Sequence, residues 1–393
     1  LLRNPTYLRL WLAGAVGNGM RWLELLVVGI FTYDLTHSSF LVAVMTVART
    51  LPMLLLGAFA GVVGEAVNRK VLLVVQMLVM AATAAVLGAL AVTGWIRVWH
   101  LALGGAVAGL AWTNELSVRR RMIGESVMPE QVGPAIAFDT LTASVARVIG
   151  PLLGGALFEI LGLAGAYLLS AALYLGAGAL ACSLDFRQER RRLSIARIPA
   201  DLAEGLALAR ANRAVLAVIA ISIIANSCGF PYSALVAPLG LHEFAVSPLL
   251  VGLLASAEPT GATLAGIAFS AGWLRLDRRY GMIRGSFLFF SALIVLALTP
   301  WYGLAVGIMV IGGFGTAAFS IMQTTLILTE APAALRSRVM GLVTVCIGTG
   351  PLGVLAIGAL AAWLSPARAI LIMAVLGLAG LVLILTRLVA RPA

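Results

Sequence analysis

Charge is scarce in this chain. Only 11% of its 393 residues are Asp, Glu, Lys or Arg, against roughly 25% in soluble domains. Long polar stretches are nearly missing too, and 61% of the residues are hydrophobic, which excludes a water-soluble globular fold. Acid is scarcer than base, with 16 Asp+Glu against 27 Lys+Arg and a formal net charge of +11. The excess does not point to nucleic acid, because the basic residues fall in short links between apolar runs and not on one aromatic-laced face. Cysteine is nearly absent: Cys182, Cys228 and Cys346 lie in apolar segments without metal-ligand spacing, so neither a metal site nor a disulfide framework is expected. Histidine is equally rare, and His37, His100 and His242 form no cluster with acids. No glycine loop ends in Lys-Ser or Lys-Thr, which argues against ATP as a drive. No nucleophile–base set is visible, so an enzyme is not expected. No cleavable signal peptide is seen, and the start at Leu1 leaves room for a short natural N-terminus before it.

What is present is a succession of apolar runs of about 20 residues, the length that crosses a hydrocarbon core. The pattern predicts an all-α integral membrane protein of twelve transmembrane helices. The spans are 8–33, 39–64, 70–94, 98–118, 134–160 and 163–184, then 213–239, 248–273, 281–299, 301–329, 337–364 and 367–389. One polar break interrupts them, dividing the chain into a six-helix bundle at 1–184, a linker at 185–212 and a second bundle at 213–393. Within the linker, Leu202, Leu206 and Ala209 recur at helical spacing behind Asp201 and Glu204, which predicts an amphipathic helix on the inner membrane surface. With both termini in the cytoplasm, 22 of the 27 Lys+Arg fall on that side and only Arg97 and Arg368 outside. A multi-pass protein of a bacterial inner membrane, surrounded by lipid and monomeric, is the expectation.

The halves echo each other. Gly150-Pro151 and Gly350-Pro351 both fall in the fifth span of a half, and the links at Asn68-Arg69-Lys70 and Asp277-Arg278-Arg279 follow the second. Six-span repeats around a long central loop are a transporter pattern. Two motifs then carry a resemblance. Gly57 to Lys70 resembles the Gly-x-x-x-Asp-x-x-Gly-Arg-Arg loop of the major facilitator superfamily: Gly61, Arg69 and Lys70 match, Glu65 replaces Asp and Asn68 replaces the second Gly. Ala146 to Gly155 resembles the exporter motif of span 5 through Gly150, Pro151, Gly154 and Gly155, with Ala146 in place of its first Gly. The opening segment and the stretch IMQTTLILTEAPAALRSRVMGL are similar to the branch of enterobactin-type siderophore exporters and macrolide efflux pumps. The usual arginine of a proton-coupling motif in span 4 is absent from LALGGAVAGLAWTNEL.

The resemblance implies two pseudo-symmetric six-helix bundles around a central cavity, working by alternating access. It implies a latch in which Glu65 engages the basic pair, the alternative being a modest i,i+4 surface pair. For the span-5 motif, Pro151 is expected to break the backbone ladder and the glycines to admit a neighbouring helix.

Ionised groups inside a membrane are costly and mark a path or a pairing. Arg21, Glu24, Arg49 and Arg147 lie deep in the first half, and Glu258 in the second. In one reading the charges neutralise one another, Arg21 with Glu24 and Arg49 or Arg147 with Asp139 or Glu115. In the other, the arginines bind substrate, since a guanidinium grips carboxylates, phosphates and catecholate oxygens in bidentate fashion. Trp22, Asn226, Phe230, Gln323 and Thr324 complete the expected substrate site, with Trp112, Tyr232 and Phe319 as further aromatic candidates that serve equally as packing. Glu258, Glu24 and Asp139 are the expected proton carriers, because a carboxylate removed from water can exchange a proton near neutral pH. The sequence thus predicts an exporter of a small amphipathic or anionic molecule, driven by a proton gradient without a bound cofactor. A lysophospholipid transporter of the same fold is the alternative.

Overall fold

The computed structural model describes residues 1–184, 212–277, 280–332 and 336–389, with side chains outside 56–66, 114–117, 336–338, 344 and 388–389. The surface helix expected at 199–210 lies outside the described residues, and the surroundings of Gly61 and the side chains of Glu65 and Glu115 fall in stretches whose side chains are not described. The described chain is helical, without a strand. The helices are α1 (Pro5–Thr36), α2 (Ser39–Ala66), α3 (Arg69–Val92), α4 (Val98–Glu125), α5 (Val132–Cys182) and α6 (Arg213–Ile224). They continue as α7 (Pro248–Ser270), α8 (Gly281–Leu298), α9 (Tyr302–Glu330), α10 (Arg336–Ile347), α11 (Gly350–Trp363) and α12 (Pro366–Ile384). Among the described residues, eight helical segments are long and apolar enough to cross a membrane. The charged helices α1 and α4 are not among them, nor is α2, which is described as an apolar helix over Ser39–Leu55.

Several boundaries depart from the hydrophobic pattern. The expected spans 134–160 and 163–184 form one 51-residue helix, interrupted where Gly162 adopts φ 65 and ψ −170. Unbroken, α5 would run about 77 Å, more than twice the roughly 30 Å hydrocarbon core. Glycine supplies the left-handed backbone that lets the chain reverse there. Pro151, by contrast, does not break the helix: α5 keeps helical dihedrals through it. The span at 213–239 is also irregular. After α6 come a π turn Ala225–Gly229, a 3-10 turn Phe230–Leu235, one α turn Val236–Pro238 and a second π turn Leu239–Glu243. Pro231 and Pro238 lack the N–H groups that a continuous ladder would use. Likewise the expected span 337–364 is split into α10 and α11 just before Pro351.

Two compact units emerge. The first holds Leu1–Leu35, the described residues of Met45–Ile195, and Ser247–Gly252; the second holds Thr36–Val44, the described residues of Ala196–Val246, and Leu253–Ala393. In the first, α3 lies along the second stretch of α5, with Met77 and Leu78 against Gly178 and Leu168 against Gly88. Tyr7, Leu10, Leu23, Leu73, Met122 and Ile123 are fully buried there. In the second, α8 and α9 meet backbone to backbone at Gly285 and Gly315, and Phe290 fills the space beside Gly377 of α12. Small residues at such crossings give the close packing on which membrane helices depend, since lipid is as apolar as the core. Trp95, Trp99, Trp273, Trp301 and Trp363 are exposed at helix ends, where an indole sits well between headgroup and hydrocarbon.

Candidate functional site

Span 5 supplies the scaffold of the first unit's site. A Cβ on Gly150 would overlap Cβ of Trp22, and one on Gly154 would crowd the backbone of Leu23, so these glycines let α1 touch α5. Gly155 meets the backbone of Pro248 and Leu249, while Gly252 returns the contact against Pro151 and Leu152. The carboxylate of Glu159 accepts the Leu249 N–H at 3.0 Å, covering an N–H that the start of α7 leaves open.

With α1 pinned in this way, Trp22 lies near two cations. The Arg21 guanidinium carbon is 5.1 Å from the Trp22 ring centre and Arg147 is 5.6 Å from it. Arg21 also stacks on Trp112 of α4 at 3.4 Å. Each such guanidinium–indole contact is worth about 0.5–2 kcal/mol. Three substrate residues expected from the sequence, Arg21, Trp22 and Arg147, are therefore brought together, along with Trp112.

Glu24 behaves differently. Its expected partner was Arg21, one turn away on α1. It turns instead to Arg49 of α2, at 3.6 Å, the Glu24 side chain buried and that of Arg49 partly so. The i,i+3 spacing fails because Arg21 is drawn to the indoles of Trp112 and Trp22. Gly105 and Gly109 of α4 make room for the backbone of Arg49. Ser170 and Tyr174 flank the Glu24 carboxylate, yet its Oε1 makes no hydrogen bond. Arg49 thus sits with the ion pair and not in the indole stack.

Asp139 is gripped by Arg119 of α4, through Nη1 at 2.5 Å and Nη2 at 3.1 Å, and not by Arg49 or Arg147. Both side chains are almost fully buried, and the guanidinium lies where a Cβ on Gly14 would collide with it. Arg119 is the residue that sequence reasoning missed. The Arg119–Arg121 triplet reads as a loop, but a helix turns 100° per residue, so only one of three neighbours faces inward. Its seven-residue spacing from Trp112 was the available signal.

At the 66–69 link, the buried Arg69 donates through Nη1 to both carboxylate oxygens of Glu125, at 2.7 and 2.9 Å, and Arg121 reaches the same carboxylate at 3.2 Å. Asn68, which departs from the loop motif, is the N-cap of α3: its side chain accepts from the N–H groups of Lys70 and Val71.

Among the described residues of the second unit, Glu258 is the one buried charged side chain. Glu258 is 2% exposed, and Thr316 Oγ1 of α9 lies 2.5 Å from its Oε1. Asn226 Nδ2 donates to the Ser222 carbonyl, and Gln323 Nε2 donates to Ser222 Oγ at 2.6 Å. Ser227 Oγ meets Thr349 Oγ1 at 3.1 Å, where the irregular segment after α6 touches the α10–α11 break. Phe230 belongs to an aromatic cluster, 5.5 Å from Phe289 and 5.9 Å from Phe319. Thr324 does not join Gln323: it is exposed and bonds back to the Ser320 carbonyl. No group of three or more metal-ligating side chains occurs among the described residues.

A family model described as "Transmembrane secretion effector" matches residues 1–392. The multidrug efflux pump Tap of Mycolicibacterium fortuitum is 24% identical over 384 residues, 91% of this chain and 90% of that one. The enterobactin exporter EntS of Salmonella paratyphi A is 30% identical over 276 residues, 67% of this chain and 62% of that one. Among solved structures, a bacterial homologue of the human lysosomal transporter Spinster, inward-facing and occupied, superposes with a TM-score of 0.77 at 15% identity over 100% of this chain and 99% of that one. A POT family transporter in complex with a thioalcohol-conjugated peptide gives 0.74 at 10% identity over 97% and 95%.

Proposed function

Because the chain belongs to the transmembrane secretion effector family of major facilitator transporters, we propose that it is a secondary active exporter. It works by alternating access of two six-span halves in a bacterial inner membrane, with both termini cytoplasmic. Its cargo is a small amphipathic or anionic molecule, of the siderophore or drug kind that its relatives' names describe. The observation that carries this reading is the stack of Arg21, Trp22, Trp112 and Arg147. Cation edges offer bidentate donors to oxygen-rich groups, and indole faces accept flat apolar parts. Protons drive the cycle, with Glu258, buried beside the Thr316 hydroxyl, the favoured carrier.

Everted membrane vesicles energised by a pH gradient provide the test, with enterobactin, a drug panel and a labelled lysophospholipid as separate probes. Concentration of enterobactin or a drug is expected, reduced tenfold or more in Arg21→Ala and Arg147→Ala. Uptake of the lysophospholipid alone would replace this reading with lipid transport. No gradient-driven uptake of any probe would remove it.

A further inference from the structure

Thr316 has one hydroxyl proton and two acceptors. Its Oγ1 is 2.5 Å from Glu258 Oε1 and 3.0 Å from the carbonyl oxygen of Gly313. The pair is buried, with Glu258 at 2% and Thr316 at 4% exposure. It also sits on a backbone crossing. A Cβ on Gly261 of α7 would overlap the Val310 carbonyl, and one on Gly313 of α9 would overlap the carbonyl of Glu258 itself. Pro259 follows Glu258 and withholds one N–H from the α7 ladder. Along these helices, α7 carries no charged residue besides Glu258, α8 carries Arg284 near its start, and α9 carries Glu330 at its end.

From this juxtaposition of a buried carboxyl, a shared hydroxyl and a helix crossing, we infer that Thr316 is a positioning residue that turns its proton according to the charge on Glu258. With the carboxylate ionised, the hydroxyl donates to Oε1. When Glu258 takes up a proton, one O–H bond forms on the carboxyl and donates to Thr316 Oγ1. The threonine proton then swings to the Gly313 carbonyl. The proton comes from a hydronium ion of the aqueous phase, which is left as water, and no other covalent bond is made or broken. The turn places or withdraws a hydrogen bond where α9 touches α7, so proton uptake is felt by the backbone contact between them. The inference rests on Glu258 being a proton carrier.

Infrared difference titration of the purified full chain in lipid tests it, with the proton as the only ligand. The parent is compared with Glu258→Gln, Thr316→Val, Thr316→Ala and Thr316→Ser, each first checked for parent-like helical circular dichroism. A protonated-carboxyl C=O band should titrate in the parent and vanish in Glu258→Gln. In Thr316→Val and Thr316→Ala its midpoint should move to higher pH by about one unit, tenfold tighter proton binding, because the ionised form loses a charge-assisted donor and the neutral form an ordinary one. Thr316→Ser should titrate like the parent. If the valine and alanine variants titrate with the parent, the role of Thr316 is overturned while Glu258 stands as the carrier. If the full band survives in Glu258→Gln, the proton reading fails and the inference with it.

Discussion

Replacing Asp139 with alanine leaves the Arg119 guanidinium charged inside the first unit, where the residue is 3% exposed. The parent geometry is bidentate, at 2.5 and 3.1 Å. Taking one partner from a buried ion pair costs about 3–5 kcal/mol, mainly the penalty of the charge left behind. Removing both charges should restore most of that loss, because an apolar pair of similar volume often matches a buried ion pair. Asp139→Ala is therefore expected to lose about 3–5 kcal/mol, and Arg119→Met with Asp139→Leu to lie within about 2 kcal/mol of the parent. Equilibrium unfolding in mixed micelles, arranged as a double-mutant cycle, measures the coupling directly. Asp139→Asn adds a control that keeps the shape and removes the charge. The reasoning is refuted if Asp139→Ala is as stable as the parent, or if the two single losses simply add in the double variant. An Asp139→Asn protein that folds yet loses gradient-driven transport would assign the acid a proton role beyond its ion pair.

Two further outcomes follow from the same geometry. Arg49→Ala should destabilise more than Glu24→Gln, by about 1 kcal/mol or more, because the first strands a buried carboxylate whereas the second removes its charge; thermal unfolding of the two variants side by side checks the order. Asn68→Ala should cost about 1 kcal/mol through the lost α3 cap, while Asn68→Asp should retain it, as hydrogen exchange at the Lys70 and Val71 amides would register.

The helical, membrane-spanning character was legible because an apolar run of given length has one physical meaning. Turns inside the membrane were less so. Gly162 and Pro151 are both helix breakers by type, yet only Gly162 leaves the helix, since a proline flanked by packed neighbours can be accommodated and a glycine at φ 65 marks a reversal. The identity of the buried charges was readable from composition alone. Their partners were not, because pairing is decided across helices. Arg21 lies one turn from Glu24 but finds Trp112, and Glu24 finds Arg49. Arg119 was hidden in a triplet whose other members face outward or sit at the rim. The contact between Thr316 and Glu258 spans 58 residues and depends on Gly261 and Gly313 thinning the crossing, which no local pattern announces.

The eight tryptophans divide unevenly. Trp95, Trp99, Trp273, Trp301 and Trp363 face outward at helix ends, where lipid depth rather than cargo governs their emission. The other three are half-buried in the first unit: Trp22 and Trp112 stack with guanidinium groups, and Trp11 donates to Thr142 Oγ1 at 2.8 Å. The second unit has no interior indole among its described residues. The molecule is thus optically one-sided. With lipid-borne quenchers acting on the five exposed indoles, the light that remains reports on Trp11, Trp22 and Trp112 of the first unit alone.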